Sequence, residues 1–245
     1  MKVEAIFFDY DGTLSPIDVG REEARLSSSL EHILIRLSKK TLIGVVTTKD
    51  FKFISSRAGF AQVLACIGGL EILSKEDGEY RVFYKYRKSK SPRIQTLYKG
   101  IPRNLFFIEE KQLSTGEIVG FCLDWRGQYN LSNKIEDYVN YVREKVCKSS
   151  LYIVQGRNSP FLDVYLSRID KGIAVKRISR EFSLNLANCM YFGDSEIDNS
   201  AFRRVGFSVG VLHNENKNTR LECDRYVKFE DLTVFLKDFL VSFDA

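Results

Sequence analysis

Residues 3–14 read VEAIFFDYDGTL. Val3 to Phe8 is a short β-prone apolar run, the pattern of a strand buried on both faces. It ends on two acids, Asp9 and Asp11, followed by a Gly12-Thr13 turn. Carboxylates placed where a buried strand runs out decide the fold, because in an open parallel sheet ligands bind beyond the carboxyl ends of the strands.

The same rhythm continues outward. Residues 22–38, EEARLSSSLEHILIRLS, put Leu26, Leu30, Ile33, Leu34 and Leu37 on one helical face. LIGVVT at 42–47 reads as a second buried strand and residues 61–68 as a third, ending at Gly68-Gly69. Strand, helix, strand with long crossovers predicts a parallel sheet with helices on its faces. The pattern then changes, with strands expected at 80–86, 105–110, 116–123, 151–155 and 161–166 and a helix over 132–146. This antiparallel style predicts an insert spanning 74–166. A helix at 171–182, a strand at 188–192, a short helix at 197–203, strands at 206–211 and 225–228 and a helix at 230–240 resume the first rhythm. The expected fold is α/β, a Rossmann-like parallel-sheet core (1–73 and 167–245) with helices on both faces and an inserted α+β domain (74–166).

Composition narrows the function class. The 245 residues are 44% hydrophobic and 28% charged, ordinary for a soluble chain able to bury a core. No apolar run reaches the ~18 residues of a membrane span. The apolar opening is too short for a signal peptide, so a cytoplasmic location is expected. A net charge of +5 suits an anionic ligand without singling out nucleic acid. The cysteines (Cys66, Cys122, Cys147, Cys189, Cys223) form no CxxC pair and read as free thiols rather than a zinc site. Two histidines, His32 and His213, argue against a His-rich metal centre. A monomer or weak dimer is expected.

Four polar clusters fall at strand ends or a helix start: Asp9/Asp11, Thr47/Thr48/Lys49, Asp170/Lys171/Gly172, and Gly193-Asp194-Ser195 with Asp198. The topology would bring them to one rim. Crowded carboxylates repel one another and need a cation, and an all-oxygen set without histidine points to Mg²⁺. Thr47 and Lys171 are donors for an anion, and a phosphoryl group fits. One aspartate can attack phosphorus, and a second, two residues on, can protonate the leaving oxygen and then activate water.

These segments carry a resemblance. FFDYDGTL, VVTT, the Lys171 of DKG, and YFGDSEIDNSAF resemble the four motifs of the haloacid dehalogenase-like phosphatases. An insert between the second and third motifs resembles the members with a type-2 cap. Within them the chain is most similar to the trehalose-6-phosphate phosphatases, through DYDGTLSPI, Gly69-Leu70-Glu71 and the frame that keeps Asp194, Asp198 and Phe202. The resemblance implies Asp9 as nucleophile and Mg²⁺ ligand. It implies Asp11 as acid/base that also lends its backbone carbonyl to the metal, and Thr47 and Lys171 as holders of the phosphoryl group. Asp194 becomes a metal ligand, and Asp198 belongs with the same metal site. A small phosphorylated sugar is the implied substrate, with Thr48, Lys49, Arg126, Arg157 and Asp163 as candidate contacts. Where the family often reads SGRD this chain has Thr47-Thr48-Lys49-Asp50, which keeps a hydroxyl but loses an arginine fork. Exposed ion pairs explain Arg126, Arg157 and Asp163 equally well. Two other readings remain: a sugar phosphomutase on the same scaffold, and a nucleic-acid-binding module built on the basic, aromatic stretch 81–93.

Overall fold

The structure, a computed structural model, describes residues 3–20, 22–86, 92–156 and 160–244. They form two compact units, Met1–Tyr86 with Asp170–Ala245, and Arg87–Ile169.

The first unit holds strands β1 (Ala5–Phe8), β2 (Leu42–Val46), β3 (Val63–Cys66), β4 (Glu71–Glu76) and β5 (Glu79–Lys85), with helices α1 (Ser28–Leu37) and α2 (Phe51–Ile54). In the second unit lie α3 (Pro92–Lys99), β6 (Phe107–Gln112), β7 (Ile118–Asp124), α4 (Ser132–Cys147), β8 (Tyr152–Val154) and β9 (Phe161–Tyr165). The chain returns to the first unit through α5 (Lys171–Glu181), β10 (Cys189–Gly193), α6 (Asn199–Phe202), β11 (Phe207–Leu212), β12 (Arg225–Lys228) and α7 (Leu232–Asp244).

The eight-stranded sheet runs β12-β11-β10-β1-β2-β3-β4-β5. Pairings from β12 through β3 are parallel, and β4 and β5 add antiparallel. Alternation along β1 serves both faces. Ala5 and Phe7 pack with Ala174, Val175 and Ile178 of α5 and Phe202 of α6. On the other face Phe8 stacks on Phe192, whose ring meets Phe235 of α7. Both faces are thus covered, and all four residues of β1 are fully buried, as its apolar run requires.

The sheet is wider than the sequence suggests. The strand near 80–86 was expected in the insert, yet β5 pairs with β4 in this sheet. The link is a two-residue turn, Asp77-Gly78, with φ of 51° and 88°. Positive φ at both central positions is the hairpin turn that matches strand twist, and Asp-Gly is its preferred sequence.

The second unit is a four-stranded antiparallel sheet, β6-β7-β9-β8, with α3 and α4. Ile135, Val139, Val142 and Val146 form the buried stripe of α4. Phe121 of β7 meets Tyr98 of α3. α3 was not anticipated, although Ile94, Leu97 and Tyr98 stand at helical spacing and Ile94 and Leu97 are buried; only its first two residues, Pro92 and Arg93, belong to the basic stretch 81–93. That stretch is shared out: residues 81–85 lie in β5 of the first unit and Pro92 and Arg93 open α3 of the second, while Arg87, Lys88 and Lys90 lie outside the described residues.

Candidate active site

Parallel neighbours end on the same side of a sheet, so the residues after β1, β2, β10 and β11 share one rim. Asp9 follows β1, Thr47 follows β2, Asp194 follows β10 and His213 follows β11. Lys171 is the first residue of α5, capped by Asp170, whose carboxylate accepts the Ile173 N–H at 2.9 Å.

These segments converge. Asp9, Asp194 and Asp198 are buried and each offers an oxygen within 4.8 Å of the others. Lys171 Nζ lies 2.6 Å from Asp9 Oδ2 and 2.7 Å from Asp198 Oδ1. The Lys171 side chain is only 1% exposed, so this cation exists for its neighbours and not for solvent. Burial alone would push its ammonium pKa down. The carboxylates of Asp198 and Asp9 more than offset that and hold it above the ordinary lysine range. The carboxyls feel the converse. Burial drives Asp9 well above the usual carboxylate range, Lys171 opposes, and Asp198 and Asp194 push the same way as burial. Asp194 is raised by burial, with the His213 hydrogen bond opposing.

Each acid has a distinct wiring. Asp9 Oδ1 accepts the Tyr10 N–H at 2.7 Å. The oxygens of Asp198 accept from five donors: Lys171 Nζ and the Tyr191 hydroxyl on Oδ1, and Asp194 N, Ser195 N and Ser195 Oγ on Oδ2. A carboxylate has about four lone-pair sites, so Asp198 is saturated. It adds charge and orients Lys171 and the 194–195 loop. Asp194 is held by Thr13 Oγ1 on Oδ1 at 3.1 Å and by His213 Nε2 beside Oδ2 at 3.1 Å. The Asp11 carboxylate stands outside the cluster, 3.6 Å from Lys49 Nζ.

The set suits a divalent cation. Three carboxylates against one ammonium leave two uncompensated negative charges within a few ångströms. Oxygen donors at such spacing fit a hard ion such as Mg²⁺. Glycine makes the approach possible: at Gly12, φ is +74°, and a Cβ there would stand 2.7 Å from Asp194 Cγ.

Thr47 is buried beside this rim, its hydroxyl accepting the Lys49 N–H at 3.1 Å, and Thr48 and Lys49 are half-buried next to it. The remaining expected contacts belong to the second unit. Arg126 is exposed, pairs with Asp124 at 2.8 Å and stacks over Phe161. Asp163 lies 3.8 Å from the buried Lys111, which also pairs with Glu109 at 2.7 Å. Arg157 falls outside the described residues. Thr13, Tyr191, His213 and Asn216 were not anticipated as site residues. His213 had a legible signal, being the polar residue just after a buried parallel strand, the position that revealed Asp9.

A family model for haloacid dehalogenase-like hydrolases matches residues 82–231, and the chain belongs to that family. Among individual relatives, it is 25% identical over 253 residues to a probable trehalose-phosphate phosphatase E of Arabidopsis thaliana, covering 95% of this chain and 66% of that protein. It therefore spans just under two thirds of that relative's length. Its fold resembles the C-terminal domain of C. albicans trehalose-6-phosphate phosphatase, with a TM-score of 0.71, 18% identity, and coverage of 98% of this chain and 92% of that one. It also resembles a subclass IIB sugar phosphatase of the haloacid dehalogenase superfamily, with a TM-score of 0.62, 17% identity, and coverage of 96% and 98%.

Proposed function

We propose that the protein is a Mg²⁺-dependent phosphatase of a small phosphorylated sugar, trehalose 6-phosphate or a related ester, working through an aspartyl phosphate on Asp9. The observation that carries this reading is the buried junction of Asp9, Asp194, Asp198 and Lys171, drawn from segments far apart in the chain. The names of its relatives support the sugar ester as substrate class.

Asp9 and Asp194, with the backbone carbonyl of Asp11, are the residues that would hold the ion. When bound, Mg²⁺ supplies Lewis-acid stabilisation of charge spread over the phosphoryl oxygens. A carboxylate oxygen of Asp9 attacks phosphorus, and the bond between phosphorus and the sugar oxygen breaks. Asp11 donates its proton to the departing sugar oxygen. It then takes a proton from the water that cleaves the aspartyl phosphate, releasing inorganic phosphate and restoring Asp9. Lys171 and Thr47 hold the transferring oxygens in a site where their charge and dipoles are already set. Thr48 and Lys49 border the phosphate, and Asp198 fixes Lys171. The second unit serves as the cap, with Arg126, Arg157 and Asp163 as its candidate sugar contacts.

The test is Asp9→Asn, assayed with a panel of sugar phosphates in Mg²⁺ and read as free phosphate. The variant is expected to stay folded and release none. Undiminished phosphate release would sink the assignment of Asp9. An isomeric sugar phosphate formed by the native protein, with no free phosphate, would make it a phosphomutase instead.

A further inference from the structure

His213 lies at the end of β11 and caps the short turn Asn214–Asn216. Its backbone N–H donates to Asn216 Oδ1 at 2.9 Å, and its ring Nδ1 accepts the Glu215 N–H at 3.2 Å. A backbone N–H can only donate, so Nδ1 carries a lone pair and the ring proton sits on Nε2. Nε2 is 3.1 Å from Asp194 Oδ2. The direction of this bond is thereby fixed, from imidazole to carboxylate. Nε2 has no lone pair to offer a metal, and Nδ1 is already engaged.

Asp194 is gripped from other sides as well. Thr13 Oγ1 donates to Oδ1 at 3.1 Å, and Asn216 Nδ2 donates to the Asp194 carbonyl at 2.8 Å. Asn216 also accepts from the His213 backbone, so one turn holds both the main chain and the side chain of Asp194. The imidazole side chain is 11% exposed, which shields this bond from competing water.

We infer that His213 is a positioning residue of the metal centre, its Nε2–H setting the rotamer of Asp194 so that the remaining lone pairs of that carboxylate serve the cation. The inference rests on the reading of Asp194 as a metal ligand. It inverts the common arrangement in which a carboxylate orients a ligating histidine, and partners of that kind set metal affinity by about 10- to 100-fold. His213 therefore does two separable things. Nδ1 caps the turn, and Nε2 orients Asp194.

Two substitutions pull these apart. His213→Asn places an amide oxygen near Nδ1, so the cap survives but the reach to Asp194 is lost. His213→Gln carries an amide nitrogen out to the position of Nε2, so the donor survives and the cap is lost. Mg²⁺ affinity of the full chain, measured by titration calorimetry with MgCl₂, is the readout, and thermal unfolding in EDTA reports the apo fold. His213→Asn is expected to bind Mg²⁺ about 10- to 100-fold more weakly than the native protein, and His213→Gln within about threefold of it. Native affinity in His213→Asn, or equal loss in both variants, overturns the positioning role while leaving the metal site standing. A native protein that takes up no Mg²⁺ overturns the metal reading and this inference with it.

Discussion

Lys171→Met removes one charge from a site that balances three carboxylates with one ammonium. Methionine keeps the length and apolar stem of the side chain, so the space it fills is largely preserved. What is lost is a cation 2.6 Å from Asp9 and 2.7 Å from Asp198, in a place where Asp198 is fully buried. Removing one partner of a buried ion pair costs about 3–5 kcal/mol, mostly from the charge left behind. For a chain of this size that is roughly 6–20 °C in the unfolding midpoint. The carboxyl pKa values of Asp9 and Asp194, already raised by burial, rise further once Lys171 no longer opposes it. The folded variant then binds more protons than its unfolded chain above the ordinary carboxylate value of 3.8, so its stability grows as pH falls. The deficit is expected to be full near neutral pH and to shrink toward about pH 4–5. The single tryptophan, Trp125, lies in the second unit, so circular dichroism or calorimetry in EDTA is the better probe. Phosphate release should drop by about 100-fold or more, as for loss of a preorganised donor to a charged transition state. A variant within about 1 kcal/mol of native at neutral pH would refute the claim that this ammonium compensates the acids.

Other outcomes follow from the same geometry. In the native protein Asp9 and Asp194 have raised pKa values, so their contribution to stability is present below about 3.8 and is lost as pH climbs through their folded values. A divalent ion competes with those protons, so the stabilisation gained on adding Mg²⁺ should grow as pH rises from the ordinary carboxylate range toward neutrality. Thermal unfolding with and without EDTA checks this, and a gain independent of pH would contradict it. Gly172→Ala should destabilise by about 1–3 kcal/mol and depress turnover, because its Cβ would collide with the Ser200 carbonyl and push α5, with Lys171, away from α6. Urea unfolding and phosphate release measure the two effects.

What the sequence conveyed, and what it withheld, follows from how local each signal is. β1, β2 and β10 are apolar runs buried on both faces, so the parallel centre of the sheet and the acids at its rim were readable from pattern alone. β5 was misallocated because RVFYKYR mixes basic and aromatic residues like an exposed strand of an insert. The Asp77-Gly78 hairpin signal before it was the better guide. α3 opens at a proline in basic surroundings, and its apolar period, Ile94, Leu97 and Tyr98, is too short to stand out from them. The grip on Asp194 was hidden for another reason. His213 stands where a strand end could have pointed to it, but Thr13 and Asn216 meet Asp194 only through turns whose shape no local pattern encodes. The saturation of Asp198 is likewise a property of five donors meeting in space.

The central position of β1 has a consequence for biosynthesis. Ala5 pairs with Leu42 on one side and with Cys189 on the other. While a ribosome has yet to deliver β10, the nascent chain carries a fully apolar strand with one bare edge, the kind of surface that invites wrong partners. All of Arg87–Ile169 emerges, and is free to compact, before that edge is closed. Completion of the acidic rim is thus a late event in synthesis, and it comes in the same step that covers the open edge of β1.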